Sequence, residues 1–427
     1  MTSLDPRLRR TLLLVVLALL AVATARASQR LAAEEPIDFY HFWGIQAARS
    51  MAEVNPGSPY VDLDSYALHL NDAADASEHV SFRRTNSRRR ELDPTSPPLL
   101  YAAFFWLPED FGQARRIFIA LQLLGMLGGV LLIGRSVGLP PPGSWVLAGA
   151  ALLSFGPFLS DLQVGNVNAM QLFGVALALR LALSEGPAGR ATVALALLLV
   201  LFKPNQAPAA VLLAVARCVR VGRASALVEL GVGVAVAAAA VVLSGLWFES
   251  LGVWGDWYDY LFGDNRSKLT SYPTERGMVS SPVRLGLWTG LNAYACAALL
   301  LAVVAGGFVG ACLVARTRGR SWRELLGQPA LMASVGVVAI YAAGPLAWYH
   351  YYILALLPAL YVFLAGERFD LAAALGALAL VVYWGPLAEV FGASETYSNL
   401  MSFAWVPLLA AIVLRVLATE TPPAEAS

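Results

Sequence analysis

Five ionisable residues border the apolar stretches of this chain on the side predicted below to lie outside the cytoplasm, and they are its candidates for chemistry. They are Asp38, Asp161, Lys203, Arg284 and His350. A charge beside hydrocarbon is costly unless it is paired or used, which makes such residues functional candidates. A carboxylate can take the proton of a hydroxyl group while cations stabilise a phosphate that leaves. This combination fits the transfer of a sugar from a lipid-anchored phosphate to an acceptor hydroxyl.

The sequence lacks the common cofactor and metal motifs. The four histidines form no His-Glu-x-x-His pattern, and no Gly-x-x-x-x-Gly-Lys loop could hold a nucleotide. Cys218, Cys296 and Cys312 are scattered through apolar stretches without a Cys-x-x-Cys spacing, so neither a disulfide framework nor a thiolate site is predicted. We therefore expect no cofactor and no metal.

The composition is that of a membrane protein. Of the 427 residues, 58% are hydrophobic and 14% are charged, whereas soluble domains average roughly 25% charged residues. The net charge of +1 leaves no positive excess for nucleic acid. Because apolar runs recur with short polar breaks from end to end, residues 1–427 are predicted to form one all-α polytopic membrane domain.

Twelve membrane spans are predicted from the apolar runs. The first covers residues 11–33 and could instead be a cleaved signal peptide, since its apolar core is short. Residues 99–107 are too short to cross and are predicted to be interfacial or re-entrant. The other spans are predicted at residues 114–135, 144–161, 167–183, 190–202, 206–221, 224–247, 289–314, 329–347, 351–365, 371–390 and 400–418.

The orientation follows from the positions of the arginines. With the N-terminus inside, the inner ends of the spans receive Arg7, Arg9, Arg10, Arg135, Arg190, Arg217, Arg220, Arg223, Arg316, Arg318, Arg320, Arg323 and Arg368. The short outer connectors receive Lys203 alone, in agreement with the excess of Lys and Arg expected on the cytoplasmic side. The protein is predicted to lie in the inner membrane with its active face outside the cytoplasm.

The first long outer loop covers residues 34–96. It holds Asp38, three of the four histidines and a cluster of arginines. Long loops of this kind are usually functional. Trp43, Ala47 and Met51 lie at helical spacing, which predicts a short amphipathic helix on the membrane surface.

The second long outer loop covers residues 248–287 and mixes aromatic with acidic side chains. Trp254 and Trp257 alternate with Asp256 and Asp259, and basic residues follow. One interpretation is an aromatic belt at the level of the lipid headgroups. The other is a platform that binds a sugar next to cations.

Several short motifs occur in an order that resembles a known superfamily. They are Ile37-Asp38-Phe39-Tyr40, Asn55-Pro-Gly-Ser-Pro-Tyr60, Ser96-Pro-Pro-Leu-Leu-Tyr101, Gly165-Asn-Val-Asn168, Phe202-Lys-Pro-Asn205 and Trp348-Tyr-His-Tyr-Tyr352. The ordered set, rather than any single motif, resembles the GT-C superfamily of membrane glycosyltransferases. More narrowly, it resembles GT87 or DUF2029, the mannosyltransferase-like family that uses polyprenyl-phosphate mannose.

The resemblance implies roles for individual residues. Asp38 matches the proposed general base of the family. Lys203 and His350 match its lysine-proline turn and its late-loop histidine. Arg284 matches no family motif, but from its position beside an apolar run we expect it to join Lys203 and His350 in steadying the donor phosphate. At the turn, Asn205 departs from the usual residue. Independently of the resemblance, possible contacts to the sugar or the acceptor are Tyr40, His41, Trp254, Trp257, Asp256 and Asp259.

Each of these residues also has a structural interpretation. Asp38 and Asp161 could cap the helices that follow them. Lys203 could be a snorkelling side chain that reaches the interface. His350 could belong to an aromatic belt.

We expect an all-helical glycosyltransferase of the GT-C type that moves a hexose such as mannose from a polyprenyl phosphate to a glycan or glycolipid hydroxyl. A single carboxylate favours one displacement with inversion, since retention through a covalent intermediate normally needs two. The alternatives are a secondary transporter, because twelve spans is also a common transporter count, and a non-catalytic membrane scaffold. Membrane lipids are expected partners, and nucleic acid is not.

Overall fold

The computed structural model describes residues 36–51, 57–78, 80–88, 92, 94–264, 280–344, 347–366, 369–384 and 395–418, and these residues form helices without a β-strand. The predicted first span lies outside them. In chain order the helices are α1 (Ile37–Met51), α2 (Leu63–Ala76), α3 (Val80–Arg88), α4 (Pro98–Ala102), α5 (Phe111–Ser136), α6 (Pro141–Ser154), α7 (Gly156–Val164), α8 (Asn168–Leu183), α9 (Ala191–Phe202), α10 (Ala207–Val221), α11 (Arg223–Trp247), α12 (Val253–Asp259), α13 (Ser281–Thr289), α14 (Ala293–Thr317), α15 (Trp322–Leu326), α16 (Pro329–Ala343), α17 (Leu356–Leu364), α18 (Leu371–Trp384), α19 (Glu395–Phe403) and α20 (Trp405–Leu417).

Four of the described helices are long and apolar enough to cross a membrane: α5, α11, α14 and the stretch Thr396–Leu417, which joins α19 to α20. Helices α6 and α7 pass the same test as a pair bent by 55°, which raises the number to five. Pro157 in the first turn of α7 explains the break, because its ring is incompatible with the preceding helical turn.

Other predicted spans also coincide with helices, for example α8, α16 and α18, but these helices are shorter than a bilayer requires. They are among the described apolar helices of 10–17 residues. At 1.5 Å per residue such helices reach about 15–25 Å, whereas the hydrocarbon core is about 30 Å thick. The positions of the apolar helices therefore agree with the sequence, and the count of twelve spans stays a prediction.

The apolar side chains form two cores, a large one among the membrane helices and a smaller one around α1. Trp43 of α1 is completely buried in the smaller core, and its ring meets those of Phe82 and Phe111 edge-on at 5.1 Å. The predicted amphipathic helix is thus present as α1. The sequence pattern predicts that the apolar face of this helix lies on the membrane surface, but in the structure it packs on protein. The pattern could not show this, because the aromatic residues that cover the face come from distant parts of the chain.

The two predicted outer loops are in contact with each other. Trp257 on α12 donates its indole N–H to the carbonyl of Thr95 at 3.2 Å. Arg49, near the end of α1, donates to the carbonyl of Trp247 at the end of α11, with a distance of 2.6 Å. The described parts of both loops also contribute to the smaller core, which includes Phe82 of the first loop and Val253 of the second.

Arginines predicted for the cytoplasmic loops gather at one end of the molecule and cap helices there. Arg318 donates to the carbonyl of Leu417 at the end of α20 at 2.6 Å, and Arg323 donates to that of Arg220 in the last turn of α10 at 2.9 Å. Cations stabilise the carbonyl ends of helices. Lys203 lies at the opposite end of α10, four residues before its start.

Candidate active site

The turn between α7 and α8 is the framework of the candidate site. Helix α7 ends at Val164 and is followed by Gly165, whose φ of 73° is rarely adopted by residues with a side chain. A Cβ at this position would also lie 2.5 Å from Cβ of Phe39 and 2.6 Å from Nη1 of Arg115. Glycine thus allows α1 to approach the turn closely.

Asn166 joins Asp38 to Lys203. Its Nδ2 donates to Oδ2 of Asp38 at 2.7 Å, and its Oδ1 accepts from Nζ of Lys203 at 2.7 Å. An ionised carboxylate can only accept and an ammonium group can only donate, so these partners determine the orientation of the amide. Two residues that are far apart in the sequence are therefore held on either side of one side chain.

Asn168 makes the same kind of bridge to a second carboxylate. Its Nδ2 donates to Oδ1 of Asp161 at 2.8 Å, and its Oδ1 accepts from Nζ of Lys203 at 3.3 Å. Asp161 also accepts from the backbone N–H of Ala169 at 3.1 Å, which is the capping contact that the sequence suggested. Lys203 is thus connected through two amides to two carboxylates.

The two carboxylates differ in exposure. The side chain of Asp38 is 28% exposed, whereas Asp161 is completely buried. A group that takes a proton from a substrate must come within hydrogen-bond reach of it. Of these two acids, Asp38 is the one that an acceptor can reach.

Lys203 follows α9 with an extended backbone, at φ −158° and ψ 103°. The residue after it is Pro204, which disfavours a helical conformation in the residue that precedes it. Its Nζ also lies 4.7 Å from the ring centroid of Tyr351. Burial lowers the pKa of Lys203, while the negative charges of Asp38 and Asp161 oppose this shift.

His350 completes the cluster from a 3-10 segment, Tyr349–Ala355. Its Nε2 lies 3.4 Å from Nδ2 of Asn166 and 3.7 Å from Oδ2 of Asp38. The second distance is too long for a hydrogen bond, so the imidazole flanks the carboxylate without bonding to it. The structure therefore brings Asp38, Lys203 and His350 together around Asn166.

Two further residues, which sequence reasoning missed, support the turn from α5. Gln122 donates from Nε2 to the carbonyls of Asp161 and Asn166, both at 2.8 Å. Arg115 donates from Nη2 to the carbonyl of Leu162 at 2.6 Å. The signal that could have found them is the presence of buried polar side chains inside a predicted membrane span.

Other predicted site residues lie on elements outside the cluster or have structural partners. Arg284 is on α13, which packs mainly against α14, α16 and α19. Tyr40 is 1% exposed and donates to Oδ1 of Asn86 at 2.6 Å, which joins α1 to α3. The ring of His41 lies 5.8 Å from that of Tyr40. Their roles in binding donor or acceptor stay predictions.

The aromatic and acidic residues of the second loop lie on α12. The rings of Trp254 and Trp257 meet edge-on at 5.9 Å, and both indole N–H groups donate to protein oxygens. Asp256 is partly buried and Asp259 is exposed on the same helix. The tryptophans thus attach α12 to the protein, and their contacts to a sugar stay a prediction.

The cluster offers a reachable carboxylate, a buried ammonium group and an imidazole. In the part of the chain that the structure describes, no three His, Cys, Asp or Glu side chains are grouped to hold a metal ion. The arrangement can accept a proton at Asp38 and stabilise negative charge beside Lys203.

A known protein family matches the central part of the chain. The sequence model of glycosyltransferase family 87 matches residues 94–340, which is more than half of the chain. The match includes Asn166 and Lys203, whereas Asp38 and His350 lie outside it. No curated protein and no solved structure matches the chain. Its all-helical membrane fold agrees with the family match, and the chain belongs to glycosyltransferase family 87.

Proposed function

We propose that this glycosyltransferase moves a hexose, mannose in the simplest case, from a polyprenyl-phosphate donor to a hydroxyl group of a glycan or glycolipid in the cell envelope. The bridge through Asn166 is the observation that carries the proposal. Its side-chain amide donates to Asp38 and accepts from Lys203, each at 2.7 Å. This bridge keeps a base for the acceptor beside a cation for the leaving phosphate. Asp38 is the general base in this proposal.

In the proposed step the acceptor oxygen attacks the anomeric carbon of the sugar, and its proton passes to Asp38. The bond from the anomeric carbon to the phosphate oxygen breaks, and its electron pair stays with the phosphate. The polyprenyl phosphate gains a negative charge as it leaves. The third N–H of Lys203 stabilises that charge, since Asn166 and Asn168 take the other two. His350 and Arg284 are proposed to add contacts to the same phosphate.

We propose a single displacement with inversion. A retaining mechanism through a covalent intermediate normally needs two carboxylates at the reacting centre. Asp161, the second acid of the cluster, is completely buried and bonded to Asn168 and Ala169. The anomeric configuration of the product, read by NMR, tests this point: retention would contradict it.

The acceptor is proposed to bind on the side of α12. That helix carries Asp259 and Asp256 next to Trp254 and Trp257, and an aromatic ring with adjacent acids suits the apolar face and the hydroxyl groups of a sugar. Tyr40 and His41 would contribute from α1.

The reaction is proposed to occur on the extracytoplasmic face of the inner membrane. Arginine caps gather at the end of α10 that is opposite to Lys203, and an excess of arginine marks the cytoplasmic side. A cysteine at Ser81 should react with an impermeant thiol reagent in intact cells, and a cysteine at Thr317 should not. Labelling of the Thr317→Cys protein would reverse the orientation, and the same experiment extended over the chain would test the twelve spans.

The substitution Asp38→Asn tests the function. Asparagine keeps the size and an acceptor oxygen for Asn166 but cannot take a proton. With purified protein and a polyprenyl-phosphate hexose in nanodiscs, turnover should fall by at least about 10²-fold while donor binding changes little.

The matched control is Asp62→Asn. Asp62 caps α2 by accepting from the backbone N–H of Ser65, and asparagine caps a helix equally well. Full turnover of Asp38→Asn would remove Asp38 as the base. Failure of the wild-type protein to use any polyprenyl-phosphate hexose would instead overturn the donor class.

A further inference from the structure

An apolar groove lies between α9, α10 and α11. It encloses about 590 Å³, within the usual range of a site for a small ligand. Side chains such as Val193, Ala196, Val215 and Leu230 line it. The groove ends at the turn between α10 and α11, where Arg223 forms part of its wall.

The groove results from the way α11 packs. Gly222, with φ 82°, joins α10 to α11 as a single connecting residue. Further along, α11 touches α9 closely at Gly233, where a Cβ would lie 2.9 Å from Val193. Between these two points the small side chain of Ala226 leaves a slot.

The slot faces the membrane. Only 11% of the membrane-length stretch of α11 is buried in the protein, and Leu227 beside the groove is 70% exposed. In a bilayer, hydrocarbon chains are the medium that covers such a surface.

Arg223 gives the groove a charged end. It is exposed and has no hydrogen bond or ion pair with any residue that the structure describes. Arg217, at the end of the same helix pair, is by contrast occupied by Glu229 at 2.8 Å. The arginines of this end mark the side where anionic lipids are concentrated in the predicted orientation.

We propose that the groove binds an anionic phospholipid, with one acyl chain along α9 and α10 and the phosphate beside Arg223. The apolar lining complements the chain, and the cation at its end complements the headgroup. The bound lipid fills the space beside a helix whose membrane-length stretch is only 11% buried in the protein. This site is separate from the candidate active site, and the proposal does not depend on the sugar-transfer reaction.

Thermal unfolding of the delipidated, purified protein in detergent tests the choice of lipid. Phosphatidylglycerol, phosphatidylcholine with the same acyl chains and polyprenyl phosphate are titrated in parallel. Phosphatidylglycerol and phosphatidylcholine should both raise Tm, but phosphatidylglycerol should do so at a half-saturating concentration about fivefold lower. Attraction between one arginine and an anionic headgroup changes the affinity by about this factor. Equal effects of the two phospholipids would overturn the proposal. A tighter stabilisation by polyprenyl phosphate would overturn it if Val215→Trp abolishes that stabilisation, because binding at the candidate active site would survive this substitution.

Variants locate the site. Val215→Trp fills the groove from a position that is 37% exposed, and it should abolish the stabilisation by phosphatidylglycerol. Arg223→Gln should remove the fivefold preference and leave the weaker binding of the acyl chain. Leu243→Trp, on a part of α11 that is 66% exposed and outside the groove, and Arg135→Gln, an exposed arginine on α5, are the controls.

An unchanged lipid effect in Val215→Trp would overturn the site. If that variant does not fold, Arg223→Gln provides the test, since an exposed side chain can be exchanged with little effect on stability. An undiminished preference of the Arg223→Gln protein for phosphatidylglycerol would overturn the proposal.

Discussion

Two buried charge clusters in this protein are built in opposite ways. At the arginine end, Arg217 bonds directly to both carboxylate oxygens of Glu229 at 2.8–3.2 Å and donates to the carbonyl of Ser184. In the candidate active site, the amides of Asn166 and Asn168 stand between the lysine and its carboxylates.

The comparison distinguishes charged groups that only stabilise the fold from charged groups that remain able to contact a ligand. A direct, bidentate pair satisfies both partners, and no charge is left for a ligand. An amide bridge instead holds an ammonium group and a carboxylate near each other without neutralising them by contact. Asp38 and Lys203 therefore keep hydrogen-bonding capacity that a substrate can take up.

The largest expected effect is the loss of stability when the direct pair is broken. Glu229→Ala leaves the guanidinium of Arg217 buried without its partner, and unfolding should become easier by about 3–5 kcal/mol. Asp38→Asn should change the free energy of unfolding by less than about 1 kcal/mol, because its partly exposed side chain keeps an acceptor. Reversible unfolding in mixed micelles measures both.

The double variant Arg217→Met with Glu229→Leu is the control for this prediction. It replaces both charges by apolar groups and should recover most of the stability that Glu229→Ala loses. Equal losses in Glu229→Ala and Asp38→Asn would contradict the distinction between the two clusters.

The next effect concerns donor binding. Lys203→Met should weaken the binding of a polyprenyl-phosphate sugar by about 1.5–3 kcal/mol, because a charge-assisted hydrogen bond to the phosphate is lost. Lys203→Arg keeps the charge and should bind within about tenfold of the wild type, and Arg135→Met on α5 should leave binding unchanged. Calorimetric titration measures the affinity, and undiminished binding by Lys203→Met would remove this residue from the phosphate site.

A pH profile sharpens the comparison further. The proposed phosphate contact needs protonated Lys203, and burial places the pKa of this residue below the ordinary value of about 10.4. The ratio kcat/KM should therefore fall as the pH rises through the lowered pKa of Lys203. Lys203→Arg should abolish this alkaline decline. Asp161→Asn removes a negative charge that opposes the shift, so the decline should move to lower pH. An unchanged decline in Lys203→Arg would assign it to another group.

The smallest effect is expected for a pair whose acid is half exposed. Arg415, whose side chain is 6% exposed, donates to Asp370 at 2.6 Å, and the side chain of Asp370 is 49% exposed. Asp370→Asn should reduce the free energy of unfolding by about 0.2–1 kcal/mol near neutral pH. The N–H of Ala373, and then Arg415, lower the pKa of Asp370, so its contribution is present above the unfolded pKa of about 3.9 and is lost as the pH falls through the folded value. A loss near 3 kcal/mol would show that exposure does not separate this pair from the buried one.

Much of the fold could be predicted because apolar runs and their breaks are local properties. Residues 114–135 and 224–247 were predicted as spans and are found in Phe111–Ser136 and Arg223–Trp247. The burial of Trp43 in a protein core was not predicted, because the sequence of a hydrophobic helix face does not show whether lipid or protein covers that face. The bend before Pro157 was also missed, although proline there is a local signal.

The candidate site could be predicted in part because a charge next to an apolar run has a cost that is visible in the sequence. That reasoning selected Asp38, Lys203 and His350, which the structure brings together. Asn166 and Asn168 were noted as a motif, but their bridging positions were not predicted. Neutral amides are common in turns, and their partners come from helices that are distant in the chain.

By itself, the sequence determined that this protein is helical, lies in a membrane and gathers arginines of its predicted cytoplasmic loops at one end, because these features follow from composition and from the period of apolar residues. Tertiary structure decided which of two similar acids is exposed. Asp38 and Asp161 both border apolar runs, yet one is 28% exposed and the other completely buried. That difference arises where α1 packs against the turn at Gly165, a contact between segments that no local pattern specifies.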